Sequence, residues 1–166
     1  VVSSSAQFDQ EKLNWLNNHY IKEMDLDDLS SLLDFDLNTD MLNAALILYR
    51  DRAKTLNEIR DNIQFFFDMP KIPLHLIEKY LNNESIELIN KLIEELNQHP
   101  WSDEEVNDQL KAFVKKEEIK FPAIAMPLRV ILAGTDHTPS VGSIMSILGK
   151  NEVTKRLNSF KNQYDF

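Results

Sequence analysis

Arg129 stands alone in an apolar run. The stretch MPLRVILAGTDHTPSVGSIMSILGK, residues 126 to 150, breaks at Gly134, restarts at Thr138-Pro139 and ends on Gly149-Lys150. A guanidinium presents a planar fork of donors that can meet a carboxylate, a phosphate or the edge of a base, and an apolar run tolerates it only with a partner. That partner is either one of the chain's many carboxylates, in a buried ion pair, or a group from outside that reaches the fork at a surface. Nearby, Thr138 offers a hydroxyl, and Pro139 and Val141 offer a small apolar floor. Thr138-Pro139 also reads as a helix cap followed by proline at the first helical position. A second group of cations, Arg50, Arg52 and Lys54, falls between two helical patterns, where side chains project from a corner.

Catalytic signatures are missing. There is no glycine-rich phosphate cradle, no nucleophile elbow and no pair of histidines one helical turn apart. His19, His75, His99 and His137 are scattered singly. Carboxylate groups such as Asp25-Asp27-Asp28 and Asp103-Glu104-Glu105 sit where helix starts favour negative charge, so they read as caps and solvated faces. The chain has no cysteine, which excludes disulfides, thiolate metal sites and a thiol nucleophile. No catalytic and no metal site is expected.

The formal charge of −9 argues against a surface that binds nucleic acid indiscriminately. Its distribution is uneven. Residues 1 to 125 carry 13 Lys and Arg against 24 Asp and Glu, a net of −11, whereas residues 126 to 166 carry five against three, a net of +2. Lys150, Lys155, Arg156 and Lys161 therefore lie in the only basic part of the chain. No apolar run approaches the roughly 20 residues of a membrane span, and VVSSSAQFDQ lacks the pattern of a signal peptide. A cytoplasmic location is expected.

The elements that must carry these residues are helices. Three glycines in 166 residues leave little material for tight hairpins, and no alternating run demands a sheet. Leu13, Leu16 and Tyr20 define one amphipathic helix, Asp25 can cap a second, and Thr39 or Asp40 can start a third. Thr55 and Glu58 have capping-box spacing, as do Ser102 and Glu105. Pro70 and Pro73 cannot continue a helix, so a boundary is placed there. Beyond it, Ile86, Ile89, Ile93 and Leu96 share one stripe. LRVILAG, residues 128 to 134, is read as a buried helix for want of partner strands. Trp15, Trp101 and Phe65-Phe66-Phe67 are read as core.

Four stretches then carry a resemblance: FDQEKLNWLNNHYI, RDRAKTLNEIRDNIQFFF, the tryptophan of HPWSDEEVNDQLKAF, and MPLRVILAGTDHTPSVGSIMSILGKNEVTKRL. In that order they resemble the C-terminal, anticodon-binding region of bacterial glutamyl-tRNA synthetases, class I enzymes. The resemblance spans nearly the whole chain but part of such an enzyme, since the two ATP-handling motifs of the catalytic domain do not occur here.

The resemblance implies an all-α fold of two packed helical subdomains. Residues 1–70 would join an absent catalytic and stem-contact region, and residues 71–166 would form the anticodon-binding subdomain. It implies a fragment of an ATP-dependent glutamate-tRNA ligase of protein synthesis, inactive alone, with ATP and magnesium held by the absent domain and no cofactor of its own. The partner would be glutamate tRNA, with no DNA or membrane role, bound by a monomer. Arg129, Thr138, Pro139 and Val141 would read anticodon bases, and Arg52 would inspect the last one. Unpaired bases are read on their edges and stacked on flat groups, which suits such a set. Lys150, Lys155, Arg156 and Lys161 would meet phosphates, which position RNA without reading it. The competing reading is an acidic, all-helical protein-interaction module with no RNA role.

Overall fold

The computed structural model describes residues 9–33, 35 and 39–164. Among these, the regular elements are nine α-helices and one 3-10 turn, without a strand. They divide into two compact units between Gln64 and Phe65.

The first unit holds α1 (Gln10–Glu23), α2 (Leu26–Leu33), α3 (Thr39–Tyr49) and α4 (Leu56–Ile63). Asp9 starts α1 by accepting from the amides of Glu11 and Lys12, and Asp25 accepts from that of Asp27 ahead of α2. Such caps supply partners to helix amides that have none within the helix. Thr55 caps α4 by accepting from the Glu58 amide at 3.1 Å. The Glu58 carboxylate reaches back to the Lys54 amide, one residue before the cap, so the reciprocal half of the expected box is shifted outward. The core of this unit gathers Leu29, Leu33, Leu42, Ala45, Leu46, Ile59 and Ile63.

Helix α1 departs from expectation. It buries Ile21, while Leu16 and Tyr20 of its supposed inner stripe are 40% and 60% exposed and Trp15 is 68% exposed. The inward line instead runs through Leu13, Asn17, Ile21 and Met24, at helical spacing. Trp15 lies outside that line and is not core.

The division falls inside the 3-10 turn Gln64–Phe66, and the second unit, from Phe65, holds α5 (Leu74–Tyr80), α6 (Asn83–Leu96), α7 (Asp103–Lys116), α8 (Phe121–Ala133) and α9 (Val141–Tyr164). The stripe Ile86, Ile89, Ile93 and Leu96 is buried as expected, and each such side chain contributes about 1.5–3 kcal/mol of transfer free energy. Residues 128 to 133 are helical, and the helix they close carries Pro127 within it. Phe65 and Phe66 are buried against each other, with ring centroids 4.2 Å apart.

The segment that contains Pro70 and Pro73 belongs to the second unit, so the division precedes the one placed at the prolines. Met69 to Ile72 line a cavity of about 370 Å³ together with Ile131, Arg156 and Phe160. Gly134 presses on the same segment. A Cβ there would lie 2.7 Å from the Lys71 carbonyl oxygen, and its φ of +69° ends α8 in the left-handed conformation that glycine adopts without cost. Both prolines lie in the non-helical stretch between the 3-10 turn and α5, with Pro73 at the N-cap of α5.

Candidate nucleic-acid interface

Arg129 sits two thirds of the way along α8 and is half-buried. One guanidinium nitrogen donates to the Met126 thioether at 3.3 Å and another to the Pro139 carbonyl at 3.4 Å. Both bonds are weak, since sulfur is a poor acceptor and 3.4 Å is long. Its Nε is buried with no hydrogen-bond partner. No carboxylate among the described residues pairs with it, so the buried ion pair that the sequence allowed is not formed.

The loop after Gly134 closes over this arginine. Thr138 is partly exposed, and its hydroxyl donates to the Pro139 carbonyl at 3.1 Å, the same oxygen that meets Arg129. Helix α9 is capped by Ser140 and not by Thr138. The Ser140 hydroxyl accepts from the Ser143 amide at 3.3 Å and donates to Asn107 at 2.8 Å. A helix that starts after Ser140 turns Val141 inward, where it is 1% exposed. Pro139 is buried as well. Neither can serve as an apolar floor for an outside group; Pro139 contributes its carbonyl, and Val141 contributes packing.

The loop is held from below by a small polar network that the sequence did not signal. Tyr80 donates to Asp136 at 2.9 Å, and Lys79 lies 3.8 Å from the same carboxylate. The Tyr80 hydrogen bond, aided by the charges of His137 and Lys79, holds the Asp136 carboxyl below the usual carboxylate range. Spacing alone could not pair residues of α5 with a loop so far along the chain.

Of the four basic candidates on α9, Arg156 does not fit its expected role. It is 2% exposed. Its Nε donates to Glu152 at 2.8 Å, and its terminal nitrogens donate to the carbonyls of Leu132 at 2.7 Å and Asp68 at 3.4 Å. A guanidinium spent in this way ties α9 to α8 and to the segment before α5, and it cannot meet a phosphate. Burial works to raise the Glu152 carboxyl, but the bonds from Arg156 and Lys155 outweigh it and leave the group below its ordinary value. Lys150 is exposed. Lys155 is 66% exposed and pairs with Glu152, and Lys161 bonds Asn90.

Arg52 belongs to the first unit, at the turn between α3 and α4, and is exposed. Its side chain has no ion pair among the described residues. Asn18 of α1 donates to the Ala53 carbonyl at 2.6 Å and so fixes α1 beside this turn. Trp15, Arg52 and Lys54 consequently line one open cleft of about 430 Å³.

Among the described residues the scaffold is helical throughout, and comparison with known proteins gives its class. The chain belongs to the anticodon binding domain family, which matches residues 7–161. It is 40% identical over 167 residues to a glutamate–tRNA ligase from Methylobacillus flagellatus, covering 96% of this chain and 36% of that protein. A second such ligase, from Paraburkholderia phymatum, is 37% identical over 165 residues, with 93% of this chain and 35% of that one covered. Among solved structures, a glutamate tRNA ligase from Elizabethkingia meningosepticum superimposes with a TM-score of 0.83 at 23% identity, covering 96% of this chain and 33% of that one. The fold is therefore shared, and the chain spans about a third of the length of the relatives that it matches.

Proposed function

We propose that this chain is the anticodon-holding part of an ATP-dependent glutamate–tRNA ligase in the cytoplasm. Its partner is then glutamate tRNA, bound by a single copy of the chain, and neither DNA nor a membrane takes part. ATP and magnesium are assigned to the remaining two thirds of such a protein, and the matched third has no ligase activity by itself. Residues 1–70 serve as the connection to that catalytic part, and residues 71–166 grip the anticodon. Within this grip Arg129 addresses a base edge, Thr138 adds a hydroxyl, and Lys150, Lys155 and Lys161 lie along phosphates. Arg52 inspects the last anticodon base.

The observation that carries this reading is the state of Arg129. A guanidinium half-buried within α8, whose terminal nitrogens meet only a thioether at 3.3 Å and a carbonyl at 3.4 Å and which pairs with no carboxylate among the described residues, has bonding capacity left for an outside acceptor. The family membership of residues 7–161 supports the choice of RNA as the source of that acceptor.

A filter-binding titration of the chain against glutamate tRNA and an anticodon-altered copy, at two salt concentrations, tests the proposal. Preference for the unaltered tRNA is expected, with affinity that falls steeply as salt rises. Equal binding of the two RNAs, or none, would return the chain to the class of acidic interaction modules.

A further inference from the structure

The cleft beside Arg52 contains more than a cation. Trp15 projects into solvent with 68% of its surface exposed, and its indole lies parallel to the His19 ring, with centroids 5.8 Å apart and planes 3° from parallel. The exposure of this large side chain, on a helix whose buried line runs elsewhere, leaves π-surface open in the cleft that it lines together with Arg52 and Lys54. The Asn18 bond to Ala53 holds this surface in register with Arg52.

The rim of the cleft is mixed in charge. Arg52 and Lys54 bring donors, Glu11 and Asp51 bring acceptors, and the side-chain amide of Asn14 can do both. Two carboxylates beside two cations give a poor trap for a phosphate, which needs excess positive charge. The same mixture around a flat aromatic floor suits a nucleobase, whose edge carries donors and acceptors together and whose faces stack on any aromatic ring. A volume of about 430 Å³ admits one base with its sugar.

We propose that the Trp15–Arg52 cleft of the first unit takes one unpaired nucleotide of the bound tRNA, stacked on the Trp15 indole with its hydrogen-bonding edge toward Arg52. This rests on the proposed function, in which Arg52 inspects an anticodon base, and it assigns the stacking partner that such an inspection requires. Trp15 acts as a platform and carries affinity; Arg52 carries the choice of base.

Two measurements test it. In the Trp101→Phe chain, Trp15 is the only tryptophan, so its emission reports on the cleft. Addition of glutamate tRNA is expected to quench that emission and to shield the indole from acrylamide. In the otherwise native chain, Trp15→Ala is expected to weaken tRNA binding by roughly five- to 150-fold, the range for loss of one base–aromatic stack, with Trp15→Phe closer to native. The slope of affinity against salt should stay as it is, because stacking releases no counterions. If the chain binds tRNA in an Arg129-dependent manner while Trp15 emission, accessibility and the Trp15→Ala affinity remain native, the cleft is no nucleotide site. A protein surface then becomes the partner of the α1 face, and of the proposed function only the role of Arg52 falls with it. If no tRNA binds at all, both proposals fall.

Discussion

Two arginines in the second unit, one near the end of α8 and one on α9, have opposite fates. Arg156 is 2% exposed and donates to a carboxylate and two carbonyls. Arg129 is half-buried, has two weak contacts and leaves its Nε without a partner. What separates them is visible along their own helices. Arg156 has Glu152 one turn earlier, where i, i+4 geometry delivers a counter-charge, whereas Arg129 has Ala125 at the equivalent place. A cation that brings its own anion along the helix is available to the fold. A cation without one is available to a ligand.

The contrast can be broken most forcefully at Arg156. Arg156→Ala leaves the Leu132 carbonyl and a partly buried Glu152 without their donor, and it should cost about 3 kcal/mol or more of stability in denaturant unfolding. A loss under about 1 kcal/mol would place Arg156 on the surface side of the comparison. Tested at Arg129, the expectation reverses. Arg129→Ala should reduce discrimination between glutamate tRNA and an anticodon-altered copy by about 1–3 kcal/mol in paired titrations. Its unfolding midpoint should scarcely move, since no strong bond is lost. A large loss of stability with unchanged discrimination would make Arg129 a second structural arginine.

The smallest effect concerns the loop between them. The Asp136 carboxyl lies below its ordinary value chiefly through the Tyr80 hydrogen bond, so the stability it lends is complete above the unfolded pKa, about 4. That stability is lost as pH falls through the lower, folded value. Stability curves of the native chain and Asp136→Asn should therefore run parallel near neutrality and converge as pH drops below about 4. Curves that stay parallel throughout would remove Asp136 from the support of the Arg129 loop.

Much of this scaffold was legible in the sequence. The caps at Asp25, Thr55 and Ser102 rest on short-range bonding between neighbours, and the isoleucine stripe of α6 rests on helical periodicity, both of which a linear reading can follow. The structure departs from the sequence pattern where three-dimensional phase decides. Thr138 and Ser140 are both acceptable caps by type, and only the contact of Ser140 with Asn107 of α7 settles which one starts α9. A start two residues later rotates Val141 from the surface into the core. Trp15 reads as core by its size, yet the line from Leu13 to Ile21 holds the inward face of α1. For Arg156, the carboxylate four residues earlier is the sequence signal of a structural role.

Gly149 bears on Arg156. It adopts φ 76° and ψ 161°, a combination open to glycine alone, and divides α9 in two. A Cβ at this position would meet nothing within 4 Å, so torsion and not space demands the residue. Because the chain winds up again after the interruption, Glu152, three residues past Gly149, falls within the opening turn of the second half. The break thus gives the counterion of Arg156 an electropositive seat that an unbroken rod would have withheld.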